Sequence, residues 1–110
     1  MEIVTMVLLG ITVLLNIANL VLEVVLRYSQ IAEWFRSRRG VRSRGYGAAD
    51  RRRLGFTLQD LLANGEYRTV QGVFDAGTGE VEAGVRSIRS RAVDSTMRSI
   101  HAGDRLAIYP

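Results

Sequence analysis

From Ile3 to Leu26 the chain runs for 24 residues, sixteen of them Ile, Leu or Val, and nothing else in the sequence restricts the fold as strongly. As a helix rising about 1.5 Å per residue the run is roughly 36 Å long, enough to cross a roughly 30 Å hydrocarbon core with modest tilt. Its sixteen aliphatic residues favour insertion by about 0.3–0.6 kcal/mol each, very roughly 5–10 kcal/mol together. Glu23 is near enough to one end to reach the interface, and Asn16 and Asn19 cost too little to reverse the sign. A cleaved signal peptide fits poorly: the start is Met1-Glu2, the run is too long, and no small-x-small site follows. A buried helix of a globular domain is the other reading, but the remaining 84 residues offer little apolar surface to cover it. The run therefore predicts a transmembrane helix over residues 1–27.

Charge divides the chain into three zones. Residues 1–26 carry Glu2 and Glu23 and no Arg, residues 27–53 carry nine Arg against two acids, and residues 54–110 carry six Arg against seven acids. Such segregation marks segments that meet different solvents. With no Arg before the span and Arg27, Arg36, Arg38, Arg39, Arg42 and Arg44 after it, the positive-inside rule predicts an outside N-terminus and a cytoplasmic C-terminal domain. The implied location is the inner or plasma membrane, with a single pass. Tyr28, Trp34 and Phe35 fall at the membrane interface, and Ile31, Trp34 and Phe35 share the face of a helix lying along it, with Gly40 as its stop.

The polar residues of the span form a pattern. With heptad position a at 2, 9, 16 and 23 and d at 5, 12, 19 and 26, Glu2, Thr5, Thr12, Asn16, Asn19 and Glu23 all fall on a or d. Hydrocarbon offers no hydrogen-bond partner, so a seam of Thr5, Thr12, Asn16, Asn19 and Glu23 predicts packing against another helix. That helix belongs to a second copy or to another membrane protein; several copies would instead line a pore, as in a holin-like protein.

Between Arg36 and Arg53 eight Arg (Arg36, Arg38, Arg39, Arg42, Arg44, Arg51, Arg52 and Arg53) are interrupted by Ser and Gly. Beside a membrane such an arm contacts anionic lipid, at about 1 kcal/mol per basic residue. Arg with Gly and Tyr46 also suits phosphate tracking and base stacking, so nucleic acid is a competing partner.

Residues 54–110 predict a small α-β-β-α-β domain. Thr57 and Asp60 fit a capping box for a short helix ended by Gly65; Tyr67–Asp75 reads as a strand and Ala76–Gly79 as a turn. The returning strand, Glu80 to Val93, changes parity near Arg86–Ser87, which suggests a bulge. Asp94 or Ser95 caps a second helix, and Arg105–Tyr109 makes a last strand. A domain this small is marginal alone, and a short sheet leaves edges open to a strand from another chain.

No chemistry is indicated. The absence of Cys excludes disulfides and thiolate sites, and one His leaves no metal set. Gly77-Thr78-Gly79 lacks the length and the Lys of a phosphate loop. Ser99 and His101 stand two apart, a spacing that does not bring side chains together on a helix, so Ser99, His101 and Asp104 are no triad. No catalytic residue, cofactor or metal is expected. The fold class expected is a membrane α plus small α+β protein: one N-terminal transmembrane helix, an Arg-rich juxtamembrane arm over residues 28–53 and the C-terminal domain. The function expected is a non-catalytic accessory or anchoring subunit that docks its helix seam in the membrane and binds a cytoplasmic protein through its tail.

Overall fold

A computed structural model describes residues 19–38 and 53–109. Strand β1 is Asn19–Leu26 and helix α1 Tyr28–Arg36; then come β2 (Arg53–Leu61), β3 (Tyr67–Asp75), β4 (Glu80–Val81), β5 (Arg86–Val93), helix α2 (Ser95–Ile100) and β6 (Leu106–Tyr109). The strands form one mixed sheet in the order β1-β5-β3-β2-β6, with β4 added to β3. β1 lies parallel to β5, with Val21 opposite Ile88 and Leu26 opposite Val93. The other neighbours are antiparallel.

The expected transmembrane helix is therefore corrected. Its last eight residues, Asn19–Leu26, are a sheet strand. Among the described residues no helix is long and apolar enough to cross a membrane. α1 has nine residues and spans only roughly 13 Å. The single-pass plan, the orientation and the membrane localisation rested on that span and fall with it. The physical reason is that a continuous apolar run suits a strand with a parallel neighbour as well as it suits a helix. Val21, Val24 and Val25 are β-branched and fit a pleated surface, and β5 supplies the backbone partners.

A second correction concerns Thr57–Asn64. Arg53–Leu61 is a strand paired along all nine residues with β3, from Arg53 opposite Asp75 to Leu61 opposite Tyr67. Here alternation overrides the capping pattern: Leu54, Phe56 and Leu58 are buried on one face. Leu61, at the end of the strand, is exposed. Gly65 lies in the β2–β3 hairpin, where Leu62 N–H donates to the Glu66 carbonyl at 2.8 Å. The order is thus β-α-β-β-β-β-α-β over the described residues, in place of a span followed by α-β-β-α-β. The break in the returning strand falls at Glu82–Val85, between β4 and β5.

Both helices pack on one sheet face. Ile31 and Phe35 of α1 and Met97 of α2 meet Leu26, Val73, Ile88, Val93 and Tyr109. The opposite face gathers Leu54, Phe56, Leu58, Val70, Phe74 and Val85, flanked by Val81, Leu106 and Ile108. Phe35 lies so close over Gly55 that a Cβ there would come 2.7 Å from its ring, so β2 needs a glycine at that crossing.

One carboxylate ties the two helix starts together. Asp94 Oδ1 accepts from Met97 N–H and Oδ2 from Tyr28 N–H, each at 2.9 Å. Asp94 N–H donates in turn to the Leu26 carbonyl at 2.9 Å. Satisfying the open N–H groups of two helices with one residue locks the β1–α1 corner to the β5–α2 corner.

Candidate functional site

β1 ends the sheet: β5 flanks it on one side, and among the described residues no strand flanks it on the other. Its side chains alternate. Val21 packs toward the helix-bearing core, whereas Leu20, Leu22 and Val24 are 59%, 75% and 68% exposed. Leu22 stands opposite Arg89, whose guanidinium reaches Glu66 at 3.4 Å, and Arg91 farther along β5 is exposed. An edge of this length with an aliphatic row is a template for another strand, because among the described residues nothing covers its outer backbone groups or its side chains. β6, at the other end of the sheet, has four residues, and its Leu106 and Ile108 are packed against the second core.

Of the expected seam, Thr5, Thr12 and Asn16 lie outside the described residues. Asn19 and Glu23 sit in β1. The Glu23 carboxylate accepts from Gln30 Nε2 at 3.2 Å, so its contact is with α1 of its own chain. Of the arginine arm, Arg39, Arg42, Arg44, Arg51 and Arg52 lie outside the described residues. Arg36 is exposed in the last turn of α1. Arg53 forks onto Glu82 at 2.6 and 2.7 Å. Arg38 lies over Trp34, with Cζ 4.0 Å from the ring centroid. The residues expected at a membrane interface line the sheet instead. Phe35 is buried, its ring 5.2 Å from that of Tyr109, and Tyr28 lies 6.5 Å from Tyr109 on the same side.

His101 belongs to a partly buried chain of hydrogen bonds that spacing did not suggest. Its Nδ1 is 3.0 Å from the Asp104 carbonyl oxygen, which can only accept, so Nδ1 carries the proton. Nε2 is then the acceptor, and the Thr57 hydroxyl donates to it at 2.9 Å. Tyr109 O–H completes the chain by donating to Thr57 Oγ1 at 2.8 Å. Burial pushes the His101 pKa below its usual value, opposed by hydrogen bonding to the backbone at Asp104 and Arg105 and by the Asp104 charge. Burial also pushes the Tyr109 hydroxyl up to about 12, against the Thr57 hydrogen bond.

This is not a nucleophile with its base. Thr57 is fully buried, so no substrate reaches its hydroxyl. Ser99 is exposed on α2 beside Ser95, Thr96 and Ile100. Among the described residues no three His, Cys, Asp or Glu side chains are grouped to hold a metal ion.

No protein-family profile, curated protein or solved structure matches the chain. The functional reading therefore rests on geometry. Neither the β1 edge nor the Thr57–His101–Tyr109 chain is signalled locally. The first hides in an apolar run, and the second joins residues 44 and 52 positions apart.

Proposed function

We propose that the protein is a non-catalytic accessory subunit that binds another protein by accepting an extended segment along the open edge of β1. The observation that carries this reading is the exposed row Leu20, Leu22 and Val24 on an eight-residue edge strand. Backbone hydrogen bonds would supply affinity and alternate side chains specificity, as in strand addition generally. Each aliphatic side chain taken fully out of water contributes about 1.5–3 kcal/mol. The segment that fits alternates apolar residues, with an acidic residue placed to meet Arg91.

Site-specific photo-crosslinking in the native host tests it. Probes at positions 20, 22 and 24 are expected to capture one protein of discrete mass, and probes at 21, 23 and the exposed Leu61 to capture little. Equal capture at all six positions, or none at 20, 22 and 24, would contradict the proposal. Capture of a second copy would make the partner the protein itself. Leu22→Lys is expected to leave stability within about 0.5 kcal/mol, since the side chain is 75% exposed. The same substitution should weaken partner binding roughly tenfold or more, the equivalent of losing one well-buried aliphatic contact.

A further inference from the structure

Four arginines among the described residues are half-buried: Arg38, Arg53, Arg86 and Arg89. Arg53 and Arg89 each meet a carboxylate, Glu82 at 2.6 Å and Glu66 at 3.4 Å. Arg38 and Arg86 contact no carboxylate among the described residues. They converge instead on one aromatic ring, with Arg38 Cζ 4.0 Å and Arg86 Cζ 5.4 Å from the Trp34 centroid.

Both guanidinium groups are held by neutral acceptors. Arg38 Nη2 donates to the Gly84 carbonyl at 3.1 Å. Gly84 makes this approach feasible: its φ is +91°, and a Cβ there would come 3.0 Å from Arg38 Nη2. Arg86 Nε donates to Gln71 Oε1 at 2.8 Å and its Nη2 to the Gln30 carbonyl at 3.4 Å. The fully buried Gln71 is itself fixed, its Nε2 donating to the Ile31 carbonyl at 2.9 Å. The fold thus brings two like charges to the same indole ring, close enough for each to act on the other. Burial first, and then the Arg38 charge, lower the Arg86 pKa, while Glu23 acts the other way. Arg38 Nε is buried without a hydrogen-bond partner.

Such an arrangement costs free energy unless an anion completes it, because a buried donor left unmade and two cations at one ring, opposed only by the more distant Glu23 charge among the described residues, are both unfavourable. We propose that Trp34, Arg38 and Arg86 form a binding site for a phosphate group. Phosphate suits it better than carboxylate. A phosphate monoester brings about −1.5 to −2 charge, and its three oxygens can bridge two guanidinium groups. The Trp34 ring keeps the two cations in place through cation–π attraction while the site is empty. Free phosphate and a phosphorylated small molecule share this chemistry.

Trp34 is the single tryptophan of the chain, so its emission reports on the site directly. Titration of the full-length protein with inorganic phosphate is expected to change that emission saturably, beyond the effect of sodium chloride or acetate at matched ionic strength. Arg38→Gln and Arg86→Gln are each expected to weaken the apparent affinity roughly tenfold or more, the loss of a hydrogen bond to a charged group. Far-UV circular dichroism verifies folding; should Arg86→Gln unfold, Arg38→Gln alone decides. Tighter binding of glycerol 3-phosphate than of phosphate would assign a phosphorylated ligand, and equal binding free phosphate. A response no larger than that of chloride, an equal response to acetate, or unchanged binding by Arg38→Gln would overturn the proposal.

Discussion

Phe35→Ala is expected to lower the unfolding free energy by about 3–5 kcal/mol, measured by urea denaturation of the full chain. The ring is 1% exposed. It lies so close over Gly55 that a Cβ there would come 2.7 Å from the ring, and it packs against Tyr109 and Trp34 at centroid distances of 5.2 and 5.5 Å. Neighbours fixed in the sheet cannot collapse into the gap, so the cavity cost adds to the lost transfer energy. A domain stable by about 5–15 kcal/mol loses a large share of its margin in this way. The effect also separates two accounts of α1. A helix lying on a membrane surface would not couple to unfolding of residues 53–109, whereas one that caps the sheet must. A loss below about 1 kcal/mol, the typical effect of an ordinary substitution, would contradict the packing described here.

Thr57→Val is expected to be nearly as damaging, although it preserves shape. It removes the hydroxyl that gives a hydrogen bond to His101 Nε2 and takes one from Tyr109. Leaving the buried Tyr109 hydroxyl unmade costs about 1–3 kcal/mol, and His101, which water reaches in part, adds a smaller amount. The same chain sets a pH dependence. Because the His101 pKa is lowered on folding, the unfolded chain binds the proton more readily. The stability this confers is complete above about pH 6.5, the unfolded value. It is lost as pH falls from there toward the folded value, at up to about 1.4 kcal/mol per pH unit. Tyr109 acts at the other extreme: its raised pKa, about 12, costs stability as pH rises past about 10, the unfolded value. Urea midpoints of wild type and His101→Gln between pH 5 and 8 test the acid limb. Parallel curves would show that His101 does not carry it.

Parts of this fold were legible because they are local. The strand over Tyr67–Asp75, the turn at Ala76–Gly79 and the helix cap, which falls on Asp94 of the two candidates Asp94 and Ser95, each lie within a few residues, and each is present. The β1 strand was not legible, since hydropathy alone does not tell a helix from a strand in an unbroken aliphatic run. What decides it is β5, whose paired residues lie 67 positions later in the chain. At β2 the capping pattern of Thr57 and Asp60 competed with the alternation of Leu54, Phe56 and Leu58, and burial of the aliphatic row prevailed. The arginine arm drew attention to charge density. Arg86 stood outside it and carried no signal, because its relation to Arg38 exists only once β5 passes under α1.

The central claim is that Asn19–Leu26 is an edge strand, paired on one side with β5 and, among the described residues, open on the other. Residue-resolved amide hydrogen exchange of the full chain tests it most directly. In a strand with one neighbour, only alternate amides face that neighbour. The account predicts slow exchange at every second residue from Asn19 to Leu26 and fast exchange at those between. Unbroken protection over successive residues, as the i to i−4 bonds of a helix would give, would contradict it, and so would fast exchange throughout.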